Sequence, residues 1–492
     1  MSVDVHGGQE MVAPFINGDL SDSDSDSAVE VINPSIGKRS LSIPVGSERD
    51  TDRAVRAARA AFDDGRWSDA PPSRRRAALH CFADLIAKDA RALDLLDAGE
   101  MGKPVSEAFG NASSAAMLVR FYADAADKVL GDVYLSDRGS FVSQRRVPRG
   151  VVGAVLPWNF PTYVAVLKLA PALAAGNCVV LKPSEQSSRS AIRLARLAVQ
   201  AGVPPGVLNV IPGLGETVGR ALALHGDVDM LTFTGSTAIG KRMMQYAGQS
   251  NMKVVMAECG GKSPHVVFPD GVSLDVVGER IARRLVTNQG QVCSVGSRLL
   301  VHRSVETDLL RSITAQCTRI VMGNALDPKT TYGPVASAAQ CGRIMQQIES
   351  AQVDGAEVVA GGRRVLESTG GFFVEPTIVR GVRPTAPIAQ EEIFGPVLTV
   401  IPFDTEAEAI RIANGTTYGL SAYIWTADLS TGMRMARAVR SSVWINAAAP
   451  VGEGAGAVPS FEPYGQSGVG TEGGLAGLES YFRRQLVGIN YH

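Results

Sequence analysis

The chain reads as an α/β protein of two doubly wound, mostly parallel sheets with a small additional β element. Three observations predict this. Short apolar runs alternate with helical segments between residues 151 and 240, and a second α/β series begins after Gly261. Two segments of polar or charged alternation, 134–150 and 481–491, have strand character but no core of their own.

Taken in order, SDSDSDS at 21–27 is a solvated loop. From Thr51 to Phe62 the apolar residues Ala54, Val55, Ala58, Ala61 and Phe62 recur at helical spacing, and 74–95 continues in the same manner. The runs 151–157, 177–183, 207–213 and 230–235 are apolar and end in Gly or Pro, so they read as strands; helices at 163–175, 188–201 and 214–224 separate them. In the second series come HVVF, a helix at 274–287, RLLVH, and strands near 372–380 and 397–403. At 492 residues the chain exceeds one core. We expect one domain from 1–130 with 149–259, a second from 260–470, and a separate β element from 131–148 with 471–492.

Forty-eight Lys and Arg against 49 Asp and Glu leave a formal charge of −1, which provides no footprint for nucleic acid or an anionic membrane surface. The six cysteines never form CxxC, and the histidines never form HExxH, so neither a metal centre nor a disulfide framework is expected. MSVDVHGGQE has no basic or apolar signal region, and a reducing cytoplasm is the expected compartment. The apolar stretch 151–181 is not a membrane helix, because Pro157, Pro161 and Pro171 interrupt it and Asn159 and Lys168 lie inside it.

Several motifs can carry chemistry. In MLTFTGSTAIG an apolar strand runs into Gly235 and Ser236, where free N–H groups of a helix start attract phosphate. LKPSEQS places Lys182 and Glu185 just beyond another strand, where open α/β sheets bind ligands; a carboxylate there takes ribose hydroxyls and repels a 2′-phosphate. Cys293 lies in TNQGQVCSVGSR between two glycines. A nucleophilic thiol needs a base and oxyanion donors, and Glu258 in AECGGKSP and Asn159 in LPWNFP are candidates.

PWNFP, KPSE, FTGSTxxG, ExGGKSP, NQGQxC and EEIFGPV, in this order and at these separations, resemble the aldehyde dehydrogenase superfamily over nearly the whole chain. The resemblance implies a Rossmann-like cofactor domain, a catalytic domain and an oligomerisation element, assembled as a homodimer or homotetramer. It implies Cys293 as nucleophile, Asn159 with the Cys293 N–H as oxyanion donors, and Glu258 as general base for hydrolysing a thioester. Lys168 matches a lysine expected to support Asn159. For the cofactor it implies Leu156, Pro157, Trp158, Lys182, Glu185, Gly215, Gly235, Ser236, Glu392 and Phe394, with NAD preferred over NADP because of Glu185.

Substrate-tunnel positions carried over are Phe160, Tyr163, Leu167, Thr287, Val292, Ser294 and Phe461. Leu167 and Thr287 replace aromatics that would cage a trimethylammonium group. No arginine occurs among these positions to read a distal carboxylate, so a medium-sized aliphatic or aromatic aldehyde is expected. Departures are Cys259 in place of leucine, Ser294 after the nucleophile, and an unusual 447–468 segment ending in SFEPYGQSG. Two alternatives remain at this point: a cysteine-dependent esterase or hydrolase without redox turnover, and an acylating relative that passes the acyl group to coenzyme A.

Overall fold

A computed structural model describes residues 12–25, 27–108, 110–447 and 459–491. Five parallel strands form the centre of the first sheet, in the order Leu208–Val210, Cys178–Lys182, Val151–Val155, Met230–Thr234 and Val254–Glu258. Helices cover both faces, which is why the inner strands are continuous apolar runs with every residue of Val151–Val155 and Cys178–Lys182 buried. The chain builds outward from Val151–Val155 on one side, then returns to add Met230–Thr234 on the other. That reversal opens a crevice at the carboxyl ends of these two strands. Phe15–Ile16 and Asp19–Leu20 extend one edge antiparallel, and Gly468–Val469 closes the other against Ala257 and Glu258.

The second sheet runs Glu357–Ala360, Thr377–Arg380, Val397–Phe403, Arg298–His302, Pro264–Val267, Ser421–Trp425, Ser442–Ile445, with only the first strand antiparallel. Separate apolar clusters pack its two faces, one around Ile344, Phe403 and Ile424, the other around Ile281, Leu299 and Trp425. The strand expected near 372–380 is two strands, because Pro376 has no N–H for the ladder: Phe373–Val374 pairs with Arg364–Val365, and Thr377–Arg380 enters the main sheet. The helix expected at 214–224 starts as a π-helical turn, Gly215–Gly219, before the α-helix Arg220–Leu224.

Two long helices brace the first sheet. Glu48–Asp63 begins with a reciprocal cap in which Ser47 Oγ accepts from Asp50 N at 3.0 Å and Asp50 accepts from Ser47 N at 2.8 Å. Pro72–Met101 runs past the expected 95 and ends at Gly102, φ 86°, where a Cβ would come 2.7 Å from Pro334 O. The two alternating segments pair with each other: Ser140–Pro148 lies antiparallel to Phe482–Asn490, with Asp132–Tyr134 on its other side. Val133, Leu486 and Ile489 stay exposed on this small sheet. Among the described residues, no helix is long and apolar enough to cross a membrane.

Candidate active site

The crevice gathers residues from three strand ends of the first sheet. Leu156 N–H donates to Lys182 O at 3.0 Å, and Gly235 N–H donates to Glu258 O at 3.0 Å. Lys182 is buried with Nζ 3.2 Å from Glu185 Oε2, and burial lowers its pKa. Ser236 opens the helix Thr237–Gln249 without spending its side chain on a cap, so the helix start faces the crevice with its N–H groups. Gly215 is exposed, and a Cβ there would meet nothing within 4 Å.

Glu392 and Phe394 reach the same crevice from the second-sheet side. Phe394, φ 54°, sets its ring edge-to-face on Trp158 with centroids 5.4 Å apart. Glu392 Oε1 accepts from Gly261 N at 3.1 Å, and its other oxygen lies where a Cβ on Gly260 would be, 2.1 Å away. Burial pushes the Glu392 carboxyl up to about 7, against the Gly261 N–H and Lys262. Gly260 is therefore space for a carboxylate, and Gly261 gives that carboxylate an N–H.

Cys293 follows a strained loop. Past the helix Leu274–Val286, Asn288 and Gln289 take φ of 46° and 53°, costly for side-chain-bearing residues unless the surroundings fix them. Glu107 does so by accepting from Asn288 N with both oxygens, at 3.0 and 3.1 Å. Asn288 Nδ2 donates to Asn159 O at 3.0 Å, and Asn159 Nδ2 donates to Gln291 O at 3.0 Å, two residues before the thiol. Gly290 has φ 68°, and a Cβ there would fall 2.2 Å from Gly395 O. Burial, with the charges of Glu392 and Glu258, pushes the half-buried Cys293 thiol up to about 12, and Arg284 opposes them.

Glu258 ends its strand buried, with Oε1 lacking a hydrogen-bond partner among the described residues. Burial holds its carboxyl well above the usual range; the Glu472 charge adds to this and Lys168 counters it. Lys168 was expected to support Asn159. It pairs instead with Glu472, because an ammonium this deep in an apolar helix requires an opposite charge. Glu472 is held by reciprocal backbone bonds with Phe461, at 2.8 and 3.0 Å. Cys259 is buried with its sulfur where a Cβ on Gly240 would be, 2.6 Å away. Its thiol is pushed up to about 12 by burial, then by Glu258 and Glu392.

Of the expected tunnel residues, Tyr163 and Leu167 share one half-buried face of the helix Pro161–Ala174, and Phe160 precedes it with Lys103 Nζ 4.3 Å over its ring. Thr287 turns its hydroxyl back to Arg283 O at 2.8 Å, and Val292 is buried. Arg284, which is not one of these positions, donates to the carbonyl and hydroxyl of Ser294. Residues 448–458 of the unusual segment lie outside the described residues. Glu472, Glu107 and Arg284 were missed from sequence. An acid in TEGG directly after the SFEPYGQSG segment was the available signal for Glu472; Glu107 and Arg284 carried none.

The doubly wound sheets, with Asn159 bonded to the loop that carries Cys293 and Glu258 at a neighbouring strand end, fit an oxidoreductase acting on aldehydes, the class to which the chain belongs. More particularly, the chain belongs to the aldehyde dehydrogenase family, which residues 20–487 match. It is similar to the NADP/NAD-dependent aldehyde dehydrogenase PuuC of Escherichia coli (strain K12), 40% identical over 478 residues that cover 97% of this chain and 95% of that one. The aminoacetaldehyde dehydrogenase of Pseudomonas aeruginosa is 39% identical over 93% of this chain and 91% of its own. Among solved structures, the aldehyde dehydrogenase KauB from Pseudomonas aeruginosa superposes with a TM-score of 0.94 at 44% identity, covering 97% of this chain and 96% of that one. An indole-3-acetaldehyde dehydrogenase complexed with NAD+ gives 0.95 at 43% identity, covering 99% and 98%. The chain is an enzyme of NAD(P)-dependent aldehyde oxidation.

Proposed function

We propose that the enzyme oxidises a medium-sized aliphatic or aromatic aldehyde to a carboxylic acid through a covalent adduct on Cys293, using NAD in preference to NADP. One observation carries this reading: the Glu258–Gly261 segment and Asn159 both abut the nucleophile loop. A Cβ on Gly261 would lie 2.7 Å from Cys293 O, and Asn159 bonds to Gln291 O.

The residues fit a dinucleotide, on the unspent helix start at Ser236 and the open face of Gly215. Leu156, Pro157, Trp158, Lys182, Glu185, Gly235, Glu392 and Phe394 would complete the site. When bound, the nicotinamide accepts the hydride. Glu185 supports the NAD preference, since a 2′-phosphate beside it would put two negative groups together.

The Cys293 sulfur adds to the aldehyde carbon, and negative charge develops on oxygen. An amide has two N–H groups; Asn159 spends one on Gln291 and would direct the other, with the Cys293 N–H, at that oxygen. After oxidation the acyl group is a thioester on Cys293. Glu258, ionised, takes a proton from water, which attacks the thioester and releases the acid; its raised pKa makes it the stronger base.

The mainly apolar set Phe160, Tyr163, Leu167, Val292 and Phe461, with Thr287 and Ser294, supports an uncharged substrate. The same reading divides the chain at the boundaries expected from sequence and pairs copies through the small sheet, whose Leu486 and Ile489 are exposed. Six free thiols suit a reducing cytoplasm. The test is near-ultraviolet absorbance of the reduced nicotinamide, with NAD or NADP, across aliphatic, aromatic, cationic and carboxylated aldehydes without coenzyme A. Turnover of one apolar cluster with NAD is expected. Selective turnover of cationic or carboxylated aldehydes, or faster reaction with NADP, overturns the corresponding part.

A further inference from the structure

The residue after the nucleophile is gripped from behind by side chains of two other elements. Arg284, in the last turn of Leu274–Val286, donates from Nη2 to Ser294 O at 2.7 Å and to Ser294 Oγ at 3.1 Å. Tyr423, in the strand Ser421–Trp425, donates its hydroxyl to the same carbonyl at 2.6 Å and accepts from Arg284 Nη2 at 3.2 Å. The guanidinium lies 5.6 Å over the Tyr423 ring, which stacks at 4.8 Å on the buried, uncharged His265.

This grip has a chemical consequence because Ser294 directly follows Cys293 and a hydrogen bond from its backbone favours the thiolate. Of the charged groups facing that sulfur, Glu392 and Glu258 are negative and Arg284 is positive. Thiolate formation beside two carboxylates is opposed by their field, and a cation on the other side offsets it.

We propose that Arg284 and Tyr423 are positioning residues for the nucleophile: through their bonds to the Ser294 carbonyl and hydroxyl they fix the peptide that follows Cys293, and they bring a cation to its side. Their role rests on Cys293 being the nucleophile. Neither residue touches the substrate carbon. Both act through Ser294 and through the field at the sulfur.

The test is the rate of Cys293 alkylation by iodoacetamide at about pH 8, located by mass spectrometry, where the rate follows the thiolate fraction. Arg284→Met removes the charge at similar length and should slow alkylation about tenfold, the effect of one nearby charge. Arg284→Lys restores the charge and should recover the rate to within about threefold of the original. An unchanged rate in Arg284→Met, or a fall in Arg284→Lys as deep as in Arg284→Met, overturns the proposal. If Arg284→Met does not bind NAD, Tyr423→Phe decides: a lower kcat with KM for NAD unchanged supports the grip, and an unchanged kcat overturns it. Aldehyde oxidation by Cys293→Ala would remove the nucleophile assignment itself, and this proposal with it, whatever the Arg284 variants do.

Discussion

Lys168 and Glu472 form an ion pair sealed from solvent, with side chains 0% and 3% exposed, and both charges act on Glu258. The two act in opposite directions. Glu472 raises the Glu258 pKa and Lys168 lowers it, so the pair tunes the carboxyl that the proposed hydrolysis uses.

Substituting each partner should therefore move the acidic limb of the kcat profile in opposite senses. In Glu472→Gln the like charge is gone and Lys168 remains, so Glu258 ionises at lower pH and the limb moves down, by about one unit or more. In Lys168→Met two acids face each other and the limb moves up. Both variants strand a buried charge and should lose about 3–5 kcal/mol of stability. Limbs that moved together in pH-rate profiles would break the link.

Cys293→Ala should abolish aldehyde oxidation while NAD still binds, since the thiol is not among the residues placed against the dinucleotide. Glu258→Gln should leave the first turnover fast and slow the steady state by about a hundredfold, the usual scale for losing a general base. Rapid-mixing kinetics read this directly as a burst of reduced nicotinamide. An equally slow first turnover without a burst would place Glu258 elsewhere in the reaction.

Glu185→Ser should raise the kcat/KM ratio of NADP to NAD by about tenfold, the scale of one like-charge contact near a protein surface. Lys182, left without its carboxylate partner 3.2 Å away, becomes free for the added phosphate. Steady-state kinetics with both nucleotides measure the ratio.

His265 predicts an acid sensitivity unrelated to turnover. Trp425 Nε1 donates to its Nδ1 at 3.2 Å, which places the single imidazole hydrogen on Nε2, and burial pushes the pKa from 6.5 down to about 3. Between these values the unfolded chain binds a proton that the folded chain does not, so stability is present above about 6.5 and falls as pH drops toward 3. The slope is about 1.4 kcal/mol per pH unit for this one group. Urea unfolding of His265→Asn should show a flatter loss between neutral and mildly acid pH than the parent chain.

The fold was legible because both sheets alternate with helices, and strands buried on two faces cannot avoid reading as apolar runs. The catalytic candidates Asn159, Glu258 and Cys293 stand out in the sequence jointly, through six motifs in a fixed order, where each alone reads as a buried structural residue. What could not be read depends on distance along the chain. Lys168 and Glu472 are 304 positions apart, and Glu107 and Asn288 are 181 apart; no periodicity spans such gaps. The family resemblance set Lys168 beside Asn159, and the fold gave it a charge from the far end. Arg284 escaped because its target, Ser294, lies beyond the end of its own helix across a backbone reversal at Asn288 and Gln289.

The antiparallel seam between Gly468–Val469 and the strand carrying Glu258 also fixes an order of events during synthesis. A ribosome delivers Lys168 and Glu258 long before the segment that supplies Glu472, Phe461 and the strand's edge partner. Until then Lys168 lacks the carboxylate it pairs with, and the sheet edge beside Glu258 stays open. Interruption of translation between Cys293 and this seam would yield a chain with its thiol and base encoded and its active site unfinished. Such fragments should be recognised by their stickiness and should never display partial activity.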